Sequence, residues 1–304
     1  MAQKVVITGG TGLIGKRLTT LLLARGYEIA YLTRKKINIP SVDVFEWDVK
    51  NNYIETGALE NTDFLIHLAG AGVADERWTE ERKKEIYSSR TDTIELVARK
   101  LKELNITPKA FVSASGISYY GEDTGDLQHT EQTPSGKDFL SDVTVAWEKS
   151  ADKIAALDIR TVKLRTGIVM SNEGGAVPKM AQPAKLGFGA PLGSGKQWLS
   201  WIHIDDMCRM YIEAMEKESW KGAYNAVAFP PVTNEDFTKL ICKALDKPQW
   251  LPNVPAFALK LVFGEMANVV LGSSYIINQR IKEETDFIYQ YPDLLEALKD
   301  ILGK

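Results

Sequence analysis

Residues Val5 to Gly15 read Val-Val-Ile-Thr-Gly-Gly-Thr-Gly-Leu-Ile-Gly, and no other stretch constrains the fold as strongly. Val5-Val6-Ile7 is a short apolar run of the kind that forms a parallel strand buried on both faces. After the glycines, Ile14, Leu18, Leu21 and Leu22 recur at helical spacing. The glycines at 10, 12 and 15 fit the G-x-G-x-x-G dinucleotide pattern. In that pattern Gly10 serves the tight turn, Gly12 admits a pyrophosphate to the backbone, and Gly15 lets helix and strand pack closely. The free N–H groups and dipole at the helix start then face the phosphates. Gly9, Gly10, Thr11, Gly12, Leu13, Ile14 and Gly15 are therefore the first candidate cofactor contacts. The helix is expected to end at Arg25-Gly26, with Gly26 as its cap.

Strand and helix signals alternate over the first ~165 residues, which predicts an α/β fold with a doubly wound parallel sheet. Expected strands are Lys4–Thr8, Glu28–Thr33, Asp43–Trp47, Phe64–Leu68, Ala110–Ser115 and Arg160–Arg165. Expected helices are Leu13–Arg25, Thr79–Glu103 and Phe139–Ala156. Residues 171–195 break the rhythm with glycines at 174, 175, 187, 189, 193 and 195 and prolines at 178, 183 and 191. So long an irregular stretch reads either as a binding loop or lid, or as a surface excursion. The division expected is a Rossmann domain over 1–230, carrying a substrate loop at 171–198, and a small C-terminal α/β substrate lobe over 231–304.

Charge and composition exclude several classes. A formal net charge of −3 and no basic stretch argue against nucleic acid as a partner. No apolar run reaches the ~18 residues of a membrane span. The first strand begins within a few residues of Met1, which leaves no room for a signal peptide, so a cytoplasmic location is expected. Cys208 and Cys242 lie in apolar segments without a paired motif and read as core residues in a reducing compartment. His67, His129 and His203 are scattered, so no metal site is expected.

The second strand decides between cofactors. NAD-binding units place an acid about 20 residues after the glycines to hold the ribose 2′-hydroxyl. Here that strand ends Thr33-Arg34-Lys35-Lys36, with no acid. A guanidinium at Arg34 suits a 2′-phosphate, which selects NADP(H), with Thr33 and Lys35 as neighbours in the contact. Asp48, after Trp47, is placed to accept from the adenine amino group. Leu68, Ala69 and Gly70 end the fourth strand, where small residues let the backbone lie along the cofactor.

The sequence resembles the extended short-chain dehydrogenase/reductases, and within them the atypical NAD-dependent epimerase-like (SulA-like) family with its C-terminal domain. The matching blocks include His67-Leu68-Ala69-Gly70, Arg77-Trp78-Thr79, Ser89-Arg90, Ser115 through Tyr119-Tyr120-Gly121, and Trp147-Glu148. They continue through Leu164–Val169, Gly193–Trp198, Ser200–Asp206, Asn225–Ala228, Gly264–Met266 and Tyr291–Leu294, so that they span nearly the whole chain in order. The resemblance implies a Rossmann domain, a small substrate lobe, NADP(H), a small-molecule substrate that it does not specify, and a homodimer through the helices flanking the fourth and fifth strands.

Related reductases use Tyr-x-x-x-Lys on the helix after the fifth strand, the tyrosine as acid/base and the lysine to lower its pKa. With Glu148 aligned to the glutamate that follows that motif, Leu140 and Thr144 occupy the tyrosine and lysine positions, and neither can move a proton in that way. Ser89 stands at the helical asparagine. Ser115 remains and is placed to polarise a carbonyl; Tyr120 is the candidate replacement acid/base, against the plainer reading of aromatic packing. Two functions follow: an NADP(H)-dependent oxidoreductase or epimerase-like enzyme, or an NADP(H)-binding sensor without turnover.

Three arginines need ligands. Arg90 falls on the apolar stripe Ile86, Thr93, Val97, Leu101, and buried charges are rarely unpaired, so it is expected to meet an anion, either a carboxylate or a cofactor phosphate. Glu85 is expected to orient it or touch the cofactor. Arg165 ends the sixth strand at the ligand-binding edge, where it is expected to contact the cofactor or a substrate carboxylate or phosphate. Arg77 and Trp78, with Trp198 from the glycine-rich segment, are expected to shape a pocket for an anionic or ring-bearing substrate. His203, Asp205 and Asp206 read as helix-capping and domain-closing groups.

Overall fold

A computed structural model describes residues 2–303. Its centre is an eight-stranded sheet with the order β12-β8-β6-β5-β1-β2-β3-β4. The strands on one side of the centre are β1 (Lys4–Thr8), β2 (Glu28–Thr33), β3 (Val42–Asp48) and β4 (Tyr53–Ile54). On the other side lie β5 (Thr62–His67), β6 (Ala110–Gly116), β8 (Thr161–Thr166) and β12 (Gly222–Ala226). All are parallel except β4, which closes the edge antiparallel to β3. Val5, Val6 and Ile7 are fully buried, as a central strand covered on both faces must be.

The chain leaves β1 towards β2 and later returns past it to β5 and β6. Right-handed crossovers in opposite directions put their helices on opposite faces of the sheet. Accordingly α1 (Leu13–Ala24) packs with α5 (Ile204–Glu216), and α2 (Glu80–Leu104) packs with α3 (Phe139–Ala155). The reversal between β1 and β5 leaves a crevice outside the carboxyl ends of the strands. Helix α2 starts where Thr79 Oγ1 accepts the Arg82 N–H at 3.1 Å, and stops at Asn105 in the left-handed conformation.

The short elements after β6 build the lobe. They are β7 (Gln128–His129), β9 (Ile168–Met170), α4 (Ala176–Lys185), β10 (Trp198–Leu199), β11 (Trp201–His203), β13 (Val232–Thr233) and α6 (Asn234–Ala244), then α7 (Ala256–Phe263), α8 (Asn268–Leu271), β14 (Tyr275–Ile276), α9 (Gln279–Glu284) and α10 (Leu294–Leu302). A second apolar core joins Met170, Val177, Ala181 and Trp201 to Phe237, Ile241, Leu294 and Leu298. This second core draws on residues on both sides of 231. The glycine- and proline-rich segment is not a continuous loop, because α4 lies inside it. Pro178 falls in the first turn of α4, where no intrahelical N–H bond is lost. Among the described residues no helix is long and apolar enough to cross a membrane, and no cluster of metal-ligating side chains occurs. Cys208 and Cys242 are free and buried.

Candidate active site

The crevice between β1 and β5 is a cleft of about 870 Å³. Its walls are Gly9–Gly12 after β1, Leu32–Lys35 at the end of β2, Trp47 and Val49 at the end of β3, and Leu68–Gly72 after β5, with Arg82, Glu85, Ser89 and Thr93 from α2. The glycines divide their work differently from the simple pattern. Gly9, not Gly10, takes the left-handed turn, at φ +70°. A Cβ there would also meet the Leu68–Ala69 backbone at 2.7 Å. A Cβ on Gly10 would collide with the ring of Tyr31, whose hydroxyl is bonded to Thr19. A Cβ on Gly15 would strike the Gly10 backbone at 2.5 Å. Gly12 is different: its missing Cβ would have only the Gly9 carbonyl within reach, at 3.2 Å, so its backbone is accessible to a bound group. Leu13, Ile14 and Gly15 lie just behind this cradle, in the first turn of α1.

At the β2 end, Thr33 Oγ1 donates to the Lys35 carbonyl at 2.7 Å and shapes the turn. Arg34 and Lys35 line the cleft and are exposed, and neither side chain has a hydrogen bond or ion pair among the described residues. Lys36, by contrast, pairs with Glu55 at 2.8 Å. Asp48 is turned to its own loop, accepting from Asn51 Nδ2 at 2.7 Å and from the Lys50 and Asn51 N–H groups. Its neighbours Trp47 and Val49 line the cleft instead, while Asp48 braces the loop that follows them.

At the β5 end, Ser89 Oγ accepts the Ala71 N–H at 2.9 Å and pins the chain after Gly70. Arg90 is 9% exposed, and its one hydrogen bond is from Nη1 to the Ile86 carbonyl at 2.8 Å. Its guanidinium carbon stands 4.9 Å from the centre of the Trp147 ring. Burial, aided by the charge on Arg82, pulls its pKa down to about 10. Among the described residues no carboxylate meets it. Arg82 was not anticipated from sequence, although its spacing of eight from Arg90 puts both on one helix face. It donates to Glu85 Oε2 at 2.6 Å and to the Gly72 carbonyl at 2.7 Å, and its buried Nε has no partner. Glu85 thus orients Arg82 rather than Arg90.

Three further expectations change. Arg165 does not reach into the cleft: its Nε and Nη2 bind the two oxygens of Glu148 at 2.7 and 2.9 Å, and its face covers Tyr119 at 3.5 Å. Ser115 is 4% exposed and donates to Glu148 Oε1 at 2.7 Å. Tyr120 is 3% exposed, donates to Asn225 at 2.7 Å and accepts from Arg165 at 2.8 Å. Burial pushes its pKa up to about 12, so it is poorly matched to acid/base work near neutral pH. These groups form one buried network with Glu148 at its centre. Thr144, at the lysine position, bonds Ser118 at 2.8 Å.

Each of the three residues expected to shape a pocket is engaged with the protein itself. Trp78 donates to the Val73 carbonyl at 2.8 Å and packs edge-on against Phe139. Arg77 donates to the Leu261 carbonyl at 3.2 Å and so ties the segment after β5 to α7. Trp198 packs against Tyr275 and donates to Asp126 at 2.8 Å. Arg77 and Trp198 thus reach residues 261 and 275, whereas Trp78 stays with the segment after β5 and Phe139.

Comparison with known proteins agrees with this architecture. A family model described as the NAD dependent epimerase/dehydratase family matches residues 5–226, and one described as a domain of unknown function (DUF1731) matches residues 254–301. The human epimerase family protein SDR39U1 is 34% identical over 305 residues, covering 99% of this chain and 100% of that protein. Its chloroplastic homolog from Arabidopsis thaliana is 36% identical over 307 residues, covering 98% of this chain and 86% of that protein. A crystal structure of human SDR39U1 with NADPH is similar with a TM-score of 0.88 at 32% identity, covering 99% of this chain and 100% of that one. A Rossmann sheet with its crevice at the β1–β5 reversal, a matching family model and full-length relatives converge: the chain belongs to the NAD dependent epimerase/dehydratase family.

Proposed function

We propose that the chain binds NADP(H) in the β1–β5 cleft and is an NADP(H)-dependent oxidoreductase or epimerase-like enzyme acting on a small molecule without a Tyr-x-x-x-Lys pair. The observation that carries this reading is the pairing of the Gly9–Gly12 cradle with Arg34 and Lys35, two cations with no partner among the described residues, at a strand end without a carboxylate. The pyrophosphate would lie on the backbone at Gly12, at the start of α1. The 2′-phosphate would meet Arg34 and Lys35, with Thr33 shaping their turn. Leu68, Ala69 and Gly70 would flank the second half of the dinucleotide. The human relative solved with NADPH supports the choice of cofactor. The bound nicotinamide would supply or accept the hydride; the protein would hold it and exclude water.

A second reading, an NADP(H)-binding protein without turnover, is favoured by the burial of Ser115 and Tyr120 in the Glu148 network. Both readings share the cofactor. A hydrogen bond to a charged group is worth about 1.5–3 kcal/mol, so Arg34→Asp is expected to weaken NADPH binding by tenfold or more and leave NADH binding little changed. Fluorescence titration checks this, and equal NADPH affinity in both proteins refutes the assignment. Oxidation of NADPH by any member of a panel of carbonyl compounds and nucleotide sugars then separates enzyme from sensor.

A further inference from the structure

Leu186, Phe188 and Trp250 stand out from the lobe, 71%, 56% and 65% exposed. Single exposed apolar side chains are ordinary, but these three cluster around Gly187. Trp250 Nε1 donates to the Gly187 carbonyl at 3.0 Å, which sets the indole against the residue between Leu186 and Phe188. The backbone beneath them is fixed. Where α4 ends, the Leu186 and Phe188 N–H groups donate to the Pro183 carbonyl at 3.1 and 2.9 Å, and that of Gly187 to the Ala184 carbonyl at 2.9 Å. Gly187 turns the chain at φ +82°, in the left-handed region that closes helices. A Cβ on Gly189 would strike Cys242 Sγ, so the turn is seated on the last turn of α6. The tip is a bonded reversal of the chain that holds its apolar side chains outward.

Cations flank the tip. Lys185 precedes Leu186, and Lys243 follows Cys242 on α6, one turn after Lys239. The Lys247 N–H returns to the Cys242 carbonyl at 2.9 Å. All four side chains are exposed. Residues 176–188 and 237–252 together hold five lysines and one carboxylate, Asp246, in a chain whose net charge is −3. Aromatic and aliphatic side chains flanked by lysines suit an anionic bilayer. The apolar groups enter the acyl boundary, an indole lies at headgroup level, and the ammonium groups meet lipid phosphates. Shape and charge select this occupant. A partner helix would need a groove, whereas the tip is a protruding reversal. A second copy would set the lysines of the two faces against each other. We propose that the tip formed by Leu186, Phe188 and Trp250 docks on anionic lipid headgroups, so that the chain lies on a membrane surface without crossing it. None of these residues lines the β1–β5 cleft, so the inference is independent of the cofactor reading.

The test sediments the full-length protein with vesicles of phosphatidylcholine alone and of phosphatidylcholine and phosphatidylglycerol in equal parts. Each lysine near an anionic surface is worth about fivefold in affinity, so wild type is expected to bind the mixed vesicles at least tenfold more tightly than the neutral ones. High salt should weaken that binding. Phe188→Ser with Trp250→Ser is expected to lower affinity for the mixed vesicles at least tenfold, with the circular dichroism of wild type. Lys243→Glu with Lys247→Glu should lower it similarly, and this comparison stands even if the first variant does not fold. Leu127→Ser removes an exposed apolar side chain from the segment before β7 and should bind as wild type. Absence of binding to the mixed vesicles, equal binding to both compositions, or an equal loss in Leu127→Ser would overturn the proposal. So would undiminished binding by the two double variants. Without vesicle binding, retention on immobilised polyglutamate would give the tip to an acidic protein. A dimer in sedimentation equilibrium that Phe188→Ser with Trp250→Ser dissolves would give it to a second copy. Either result also overturns the proposal.

Discussion

His67 closes β5 inside the sheet and has no exposed surface. Its ring meets Thr8 Oγ1 at 2.8 Å and Thr93 Oγ1 at 3.3 Å. Burial, and behind it the charge on Arg90, pushes its pKa down to about 3. The native protein therefore holds the neutral ring, whereas the unfolded chain takes up a proton near pH 6.5. A group depressed in this direction contributes its full stability above pH 6.5 and loses it as pH falls towards 3. Since the slope grows to about 1.4 kcal/mol per pH unit only below pH 6.5, His67 alone should remove about 2 kcal/mol between pH 6.5 and 4.5. Urea unfolding across that range checks the slope, and His67→Asn should flatten it. The residue scale also marks the limit of the sequence. The glycine pattern and the arginine after β2 are read directly, since each depends on a local backbone or charge requirement. The positive φ at Gly9 and the ring of Tyr31 against Gly10 depend on β5 and β2, which no local pattern reports.

Elements of the sheet domain were legible because their signals are strong and local. β1 and β2 have the bounds expected, and α1, α2 and α3 differ from expectation by a residue at one or both ends. α4 was missed because its prolines read as breakers, although the second core holds it through Val177, Ala181 and Ala184. The largest shift in meaning concerns α3 and β8. Arg165 was expected to reach a ligand, but sequence distance conceals that Glu148 stands opposite it. Their two bonds, at 2.7 and 2.9 Å, join α3 to β8 and hold Ser115 and Tyr120 in place. Removing one partner of a buried pair leaves an uncompensated charge and costs about 3–5 kcal/mol. Glu148→Gln should therefore lower unfolding stability by that order, read by chemical denaturation. The double substitution Glu148→Gln with Arg165→Met should recover part of the loss, since no charge is then stranded.

At the scale of the whole molecule, the lobe is held to the sheet domain by polar contacts that converge on the start of α5. Asp206 has no exposed surface; Oδ1 accepts the Gln290 N–H at 2.8 Å and Oδ2 the Tyr291 N–H at 2.9 Å. Arg209 adds a bond to Oδ1 at 2.9 Å. Close by, the His203 ring stacks on Tyr291 at 3.8 Å between centres, and its Nδ1 accepts the Asp205 N–H at 3.1 Å. These contacts set where α10 begins, and α10 completes the second core with Leu294, Ala297, Leu298 and Ile301. The glycine cradle and Arg34 lie on separate elements and share none of these bonds. Asp206→Ala should strand two backbone N–H groups and forfeit three charge-assisted bonds, the one to Arg209 being partly exposed, a loss on the order of 3–5 kcal/mol. Hydrogen exchange over 289–302 is expected to accelerate by about a hundredfold or more, while β1, β5 and α1 keep their protection and NADPH binds as in wild type. Equal acceleration throughout the sheet would mean that lobe and sheet unfold as one unit, with Asp206 stabilising the whole rather than anchoring the lobe.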